Sequence, residues 1–347
     1  MDNLALPTMH QLGSDRGRGN LLGIEPFMIA QDYACEESFF KKLNGYLLTA
    51  QREKCLSEKT IVLFPEHIGT WLVLAGERPI IFRAASLQVA ERVMVVRHLL
   101  PFLSHLIRSK EKGRMEAALF RMKAPQAAEI YQNVFSRLAR EYSATIVAGS
   151  IILPVSRIEG CRLVLQGGAL YNTSVVFGSD GKPDPSLIHK AFPTADELPF
   201  TAPATPRDIP SFDTAAGRLG VLICADSWFP QAHAVLNEQE IELLAVPSYS
   251  ALGMQKWKEL WFGYDGWETP PDVDANDVGR ITEAQAWNKY ALAGRIRSSG
   301  ATYGMNVFLR GKLWEQDLGG GPATLVRGQD VFIEGQTQKA AILSLWL

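Results

Sequence analysis

At 347 residues, with 47% hydrophobic and 21% charged side chains, the chain has the composition of a soluble globular protein, long enough for two domains or one large α/β domain. A formal net charge of −2, with bases and acids interleaved as in RSKEKGR (108–114), gives no electrostatic reason to expect a nucleic-acid or membrane partner. No stretch reaches the roughly 18 apolar residues of a membrane span, and Cys35, Cys55, Cys161 and Cys224 lack the spacing of a disulfide framework or zinc knuckle.

The first twenty residues are polar and glycine-bearing, without the apolar core of a secretory signal. They read as a loose N-terminal extension (1–20) of a cytoplasmic protein. LLGIEPFMIA (21–30) and TIVLFP (60–65) read as strands flanking a helical EESFFKKLNGYLLTAQREKC (36–55). Residues 85–142 turn helical, broken at Pro101, and AAEIYQNVFSRLAREY repeats apolar residues every three or four positions. ATIVAGSIILP (144–154), RLVLQGGALYNTSVVFG (162–178), GRLGVLICAD (217–226) and ELLAVPSYS (242–250) read as further strands rich in Val, Ile and Leu. QKWKELWFGYDGWETP (255–270) carries Trp257, Trp261, Phe262, Tyr264 and Trp267, which read first as core or interface packing and second as walls of a substrate entrance. LGGGPATL (318–325) lacks the Gly-Lys-Ser/Thr ending of a phosphate loop and reads as a turn. The apolar finish QTQKAAILSLWL reads as a strand docked on its own fold or on a sister subunit. Strand–helix alternation without linker or repeat predicts one layered α/β domain over 21–347.

Three polar residues stand where apolar runs end, the place where α/β sheets hold their sites. Glu66 follows IVLFP, Lys190 sits in DGKPDPSLIHKAFPTADE, and Cys224 ends GVLIC. Each alone has a plainer reading: an acid near a helix start, a surface lysine, a buried structural cysteine. Together they form a workable set for acyl transfer from an amide. A thiol is mostly protonated at neutral pH and needs a carboxylate to take its proton, while an ammonium steadies the oxyanion of the tetrahedral intermediate. The six histidines show no ligand spacing, and no metal site is expected.

At these residues the chain resembles the nitrilase, or carbon–nitrogen hydrolase, superfamily. GRLGVLICADSWFPQ (217–231) is similar to the cysteine motif, FPE (64–66) to the glutamate motif, and YNTSVVFGSDGKPDPSLIHKAFPT (171–194) to the lysine region, in family order. Glu197, seven residues after Lys190 and following Pro193 and Thr194, matches a second glutamate found in many members. The resemblance runs over about 20–310. It implies a four-layer αββα sandwich and a Glu66–Lys190–Cys224 triad that hydrolyses a non-peptide carbon–nitrogen bond through a thioester, releasing ammonia or an amine with no cofactor or metal. Cys224 would attack, Glu66 would be the general base, Lys190 and the Ala225 N–H would hold the oxyanion, and Glu197 would orient lysine and substrate. A homodimer or larger homo-oligomer is also implied.

Several positions depart from the family pattern. Ala225 stands where an aromatic is usual and Gln231 where a glutamate is frequent. Asp226 matches the amidase-type branches, so amide is favoured over nitrile. The absence of arginines after Cys224 counts against N-carbamoyl amino acids as substrates. The long interval between Glu66 and Lys190 predicts a helical insertion near 70–125, serving as a lid, an interface or a membrane-leaning surface. Nitrile hydrolysis and acyl transfer remain alternatives on the same triad, and a catalytically silent nitrilase-fold binding or scaffold subunit is the alternative of another class.

Overall fold

Central strands whose two faces are both apolar, with more polar strands at the edges, build two six-stranded sheets. In a computed structural model, which describes residues 7–347 except 252, 254, 267, 319 and 335–338, the first sheet runs Thr8–Leu12, Ala341–Trp346, Asn20–Glu25, Thr60–Leu63, Thr145–Val147, Val176–Phe177. The second runs Ser211–Thr214, Gly217–Val221, Leu243–Ser248, Tyr303–Phe308, Thr324–Arg327, Asp330–Ile333.

Side-chain alternation sets the layers, because successive strand residues point to opposite faces. In Thr60–Leu63, Ile61 and Leu63 meet Leu219, Val221 and Met305 of the second sheet. Their neighbours Val62 and Phe64 pack with Leu43 and Phe135 of the helices Glu36–Arg52 and Arg114–Tyr142. In Leu243–Ser248 the same division holds. Leu243 and Ala245 face the first sheet, while Leu244 and Val246 pack on Leu236, Leu292 and Ile296 of the opposite helical layer. The protein is a four-layer αββα sandwich.

Several sequence expectations shift in detail. The run 21–30 divides at Pro26 into Asn20–Glu25 and Phe27–Ile29, the latter pairing with Arg310–Leu313 in a separate three-stranded sheet. The helical region forms Leu87–Arg97, Leu99–Arg108 and the 29-residue Arg114–Tyr142. Its break falls at His98, because Pro101 lies in the first turn of the second helix, where no N–H is needed. Ahead of these, Thr70–Leu74 and Pro79–Phe82 are short helical turns, so the stretch 70–125 is a series of helical pieces joined by turns. The apolar finish docks on its own fold, with Ala341–Trp346 antiparallel to Asn20–Glu25.

The loose N-terminal extension is corrected in part. Thr8–Leu12 pairs in parallel with Ala341–Leu345, because the other edge of that buried strand needs partners for its N–H and C=O groups. Residues 1–6, Trp267, Gly319 and 336–338 lie outside the described residues. Among the described residues no helix is long and apolar enough to cross a membrane.

Candidate active site

Glu66 leaves the first sheet just beyond Thr60–Leu63. Phe64 N–H extends the ladder to Val147 O at 3.0 Å, and Pro65 then ends it. The next strand's exit presses against this turn. A Cβ on Gly149, whose φ is +63°, would lie 2.0 Å from Pro65 O, so only glycine lets the two loops meet there. His67 N–H donates to Ser150 Oγ at 2.9 Å and fixes the turn from the same side.

Lys190 follows the two-residue strand Ile188–His189, and its N–H donates to Asn172 O at 2.9 Å. Cys224 follows Gly217–Val221, after Leu222 N–H has bonded to Ala245 O at 3.0 Å, and it opens the short 3-10 turn Cys224–Trp228. Its φ is +50°, a left-handed conformation that a residue with a side chain adopts only under constraint. Ser227 Oγ, donating to Cys224 O at 2.7 Å, supplies part of that constraint. Asp226 supplies the rest: its Oδ1 accepts from Ala191 N at 3.0 Å and Phe192 N at 2.8 Å. One carboxylate thereby ties the cysteine turn to the residues that follow Lys190.

At the floor, Lys190 Nζ donates to Glu66 Oε1 at 2.7 Å and to Glu197 Oε2 at 2.5 Å. Asn172 uses one amide nitrogen to bind both acids, Glu66 Oε1 at 2.9 Å and Glu197 Oε1 at 2.8 Å. His67 Nε2 stands 3.4 Å from Glu197 Oε1, and Glu197 also accepts from Thr194 N at 2.9 Å. Glu66 and Lys190 are each only 1% exposed, so this ion cluster lies out of bulk water, where an unpaired charge would be costly.

The electrostatics follow from that burial. Burial works to depress the Lys190 pKa, but Glu197 and Glu66 outweigh it and hold the ammonium well above its usual range. Burial works to raise Glu197, and the Lys190 charge with His67 overcomes it, leaving this carboxyl below the usual range. Burial pushes the Cys224 thiol up strongly, the Glu66 charge adds to the rise, and Lys190 opposes both. Cys224 is therefore a thiol at rest, with Sγ 3.6 Å from Tyr249 O. Burial lifts Asp226 to about 7, against the pull of Lys190.

Glu66, Lys190, Glu197, Cys224 and Ala225, all five site residues named from sequence, line one cavity of about 630 Å³. Gln231 is not in the lining and stands exposed at the start of the helix Pro230–Glu238. Glu66, His67 and Glu197 also offer oxygen and nitrogen atoms within 4.8 Å of one another, the spacing of a cation site. That position already has its cation, because the Lys190 ammonium bonds both carboxylates. Above the floor the cavity is walled by Trp228, Trp261, Tyr264 and Trp287, with ring centroids 5.3 to 5.9 Å from Trp228. Trp257 instead packs between Trp287 and Phe308, so the aromatic stretch serves both core and cavity.

The structural roles of three residues here were not legible in the sequence. Asn172 stood in the quoted Tyr-Asn pair and His67 beside Glu66, while Asp226 was read only as a mark of the amidase-type branches; none of the three carried a signal of which groups it would meet.

Comparison with known proteins places this geometry. Residues 114–263 match the family model for carbon–nitrogen hydrolase, a span that holds Lys190, Glu197 and Cys224 but not Glu66. The chain is similar to N-carbamoylputrescine amidase of Oryza sativa subsp. japonica, 28% identical over 162 residues, covering 43% of this chain and 48% of the relative. It is 28% identical to the Solanum lycopersicum protein of the same name over 153 residues, covering 40% of this chain and 48% of the relative. The chain thus spans about half the length of the curated relatives it matches. Among solved structures, a mutant of the Nesterenkonia amidase from the nitrilase superfamily superposes with TM-score 0.56 at 11% identity, over 96% of this chain and 93% of that one. The carbon–nitrogen hydrolase from Helicobacter pylori gives TM-score 0.53 at 12% identity, over 94% of this chain and 88% of that one. Those two likenesses are of fold, and the stretch 114–263 is what makes the chain similar to the carbon–nitrogen hydrolase family.

Proposed function

We propose that this protein hydrolyses the carbon–nitrogen bond of a small amide through a thioester on Cys224. The observation that carries the reading is the Lys190 ammonium, held between Glu66 and Glu197 on the floor of the cavity that Cys224 lines. Because the resting sulfur is a thiol, attack needs a base, and Glu66 takes the proton as the C–S bond forms. Lys190 stays charged and has three N–H donors. Two are bound by the acids, which leaves the third for the oxyanion, together with the Ala225 N–H. Glu66 then returns the proton to the departing nitrogen, the amine leaves, and water activated by the same carboxylate cleaves the thioester to the acid and free thiol. Glu197 and Asn172 orient the lysine and the base.

The cavity also selects by charge. Besides Glu66 and Glu197 it is lined by Glu91, Glu116, Asp196, Glu259, Asp265 and Glu283, against one further lysine, Lys256, 3.4 Å from Glu259. Such a wall favours an amide that carries an amine and disfavours one that carries a carboxylate. The compound in the curated relatives' name, N-carbamoylputrescine, is a substituted urea that carries a free amine. The absence of arginines after Cys224 fits the same preference.

The test is release of ammonia from three amides of matched length ending in an amine, a methyl and a carboxylate, with Cys224→Ala as the blank. The expected order of kcat/KM is amine, methyl, carboxylate, with about tenfold or more between the extremes, the equivalent of roughly 1.4 kcal/mol. Equal release by Cys224→Ala would overturn the hydrolase reading. Equal rates on all three amides would overturn the charge selection alone.

A further inference from the structure

The helical segment between Glu66 and the long helix Arg114–Tyr142 has an outer face that is exposed among the described residues. Of fourteen exposed large apolar side chains among the described residues, eight lie between Ile80 and Met115. The densest group spans the last turn of the helix Leu87–Arg97 and the helix Leu99–Arg108: Val96 is 75% exposed, Leu100 80% and Ile107 77%, with Leu99 and Leu103 between them. At about 100° per residue, Leu99, Leu100, Leu103 and Ile107 fall within one arc of roughly 100°. Phe102, on another side of the helix, is the buried anchor. The helix is therefore apolar inward, as packing requires, and also apolar outward, where packing requires nothing.

The charge around this face is equally one-sided. Residues 78–115 contain eight Lys and Arg against two Glu, a net of +6 in a chain whose total is −2. All eight bases are exposed, and only Arg97 has a carboxylate within 4.0 Å among the described residues. An exposed apolar helix face ringed by unpaired cations is the pattern of a helix that lies in a bilayer interface, its leucines among acyl chains and its bases at anionic headgroups. A second copy of the chain fits less well, since it would bring the same unpaired bases against one another.

We propose that the face formed by Leu87–Arg97 and Leu99–Arg108 docks the protein peripherally on an anionic membrane surface. The surface borders the catalytic cavity directly: Leu87, Ala90 and Met94 of the first helix line the cavity, as do the exposed Leu260 and Phe262 across its mouth. Docking therefore sets the cavity mouth at the lipid interface. The inference stands on the exposed face and its charge, and it does not depend on the chemistry assigned to Cys224.

The experiment is co-sedimentation of the full chain with vesicles of phosphatidylcholine alone and of phosphatidylcholine mixed with phosphatidylglycerol, at low and high salt. It is run on wild type, on Leu100→Ser/Ile107→Ser, and on Arg108→Gln/Lys110→Gln. None of these four residues lines the cavity, so circular dichroism, melting and ammonia release serve as controls of folding. The expected result is partitioning to the anionic vesicles at least about tenfold above the neutral ones, falling with salt. Each double variant lowers it roughly tenfold or more while the controls stay unchanged. Equal partitioning of folded wild type and both variants, or no sedimentation with either vesicle, overturns the proposal. A wild-type dimer that Leu100→Ser/Ile107→Ser converts to monomer, without vesicle binding, overturns it in favour of a self-interface.

Discussion

Replacing Glu66 by glutamine moves two properties of Cys224 in opposite senses. Burial is the largest influence raising the thiol pKa and the Glu66 charge is the next, with Lys190 pulling the other way. Glutamine keeps the shape and an oxygen for Lys190 Nζ and Asn172 Nδ2, which lie 2.7 and 2.9 Å from Glu66 Oε1, but removes the charge. A neighbouring charge typically moves a pKa by about 1 to 3. The thiol pKa in Glu66→Gln is therefore expected to fall by that amount, making the thiolate roughly 10- to 1000-fold more populated at a given pH. Turnover falls all the same, by roughly 10²- to 10⁴-fold, the usual worth of a positioned general base. A more abundant thiolate does not compensate, because nothing then protonates the leaving nitrogen or activates water. Ultraviolet thiolate absorbance against pH, with Cys224→Ala subtracted, reads the first quantity, and ammonia release reads the second. A thiol pKa that stays or rises would show that the sulfur does not feel the carboxylate. Undiminished turnover would remove Glu66 from the proton path.

Other consequences follow from the same cluster. Asn172→Leu removes two bonds to buried carboxylates, 2.9 and 2.8 Å, and is expected to destabilise the fold by about 3 kcal/mol or more in denaturant titration; an unchanged midpoint would contradict the bridging role. Asp226 has a folded pKa of about 7 against an ordinary 3.8, so its contribution to stability is complete below about 4 and is lost as pH rises through 7. Asp226→Asn stays neutral and keeps an acceptor for Ala191 and Phe192, so its melting temperature gains on wild type across that window; parallel curves would refute the assignment. Glu283 lines the cavity and is lifted to about 7, chiefly by burial, so it becomes an anion as pH rises through neutrality. Preference for the amine-ended amide over the methyl-ended one is expected to grow with pH there, and Glu283→Gln is expected to flatten that growth; a profile identical to wild type would place the selection elsewhere.

What the sequence disclosed divides along physical lines. Thr60–Leu63 and Leu243–Ser248 were legible because alternating Ile, Val and Leu with proline or polar stops is a local signal. Glu66, Lys190 and Cys224 stood out through their motifs and chain order, and all three line one cavity. Thr8–Leu12 was not legible, since its sheet partner lies more than 300 residues away and the segment has no apolar run of its own. Pro125 inside Arg114–Tyr142 also contradicts local propensity, and burial of Ile130, Val134 and Leu138 along that helix overrides the penalty. Asn172 shows the limit most clearly. Its type and motif were visible, but that one amide would hold two acids 106 and 25 residues away is decided only by tertiary packing.

The central claim is that the acyl group of the substrate passes through the sulfur of Cys224. Acid-quenched turnover of an amine-ended amide, followed by peptide mass spectrometry, tests it directly. The account expects the acyl mass on the peptide bearing Cys224 and on none bearing Cys35, Cys55 or Cys161, with neither adduct nor ammonia from Cys224→Ala. Ammonia from Cys224→Ala at the wild-type rate, or the acyl group on another residue, would contradict it.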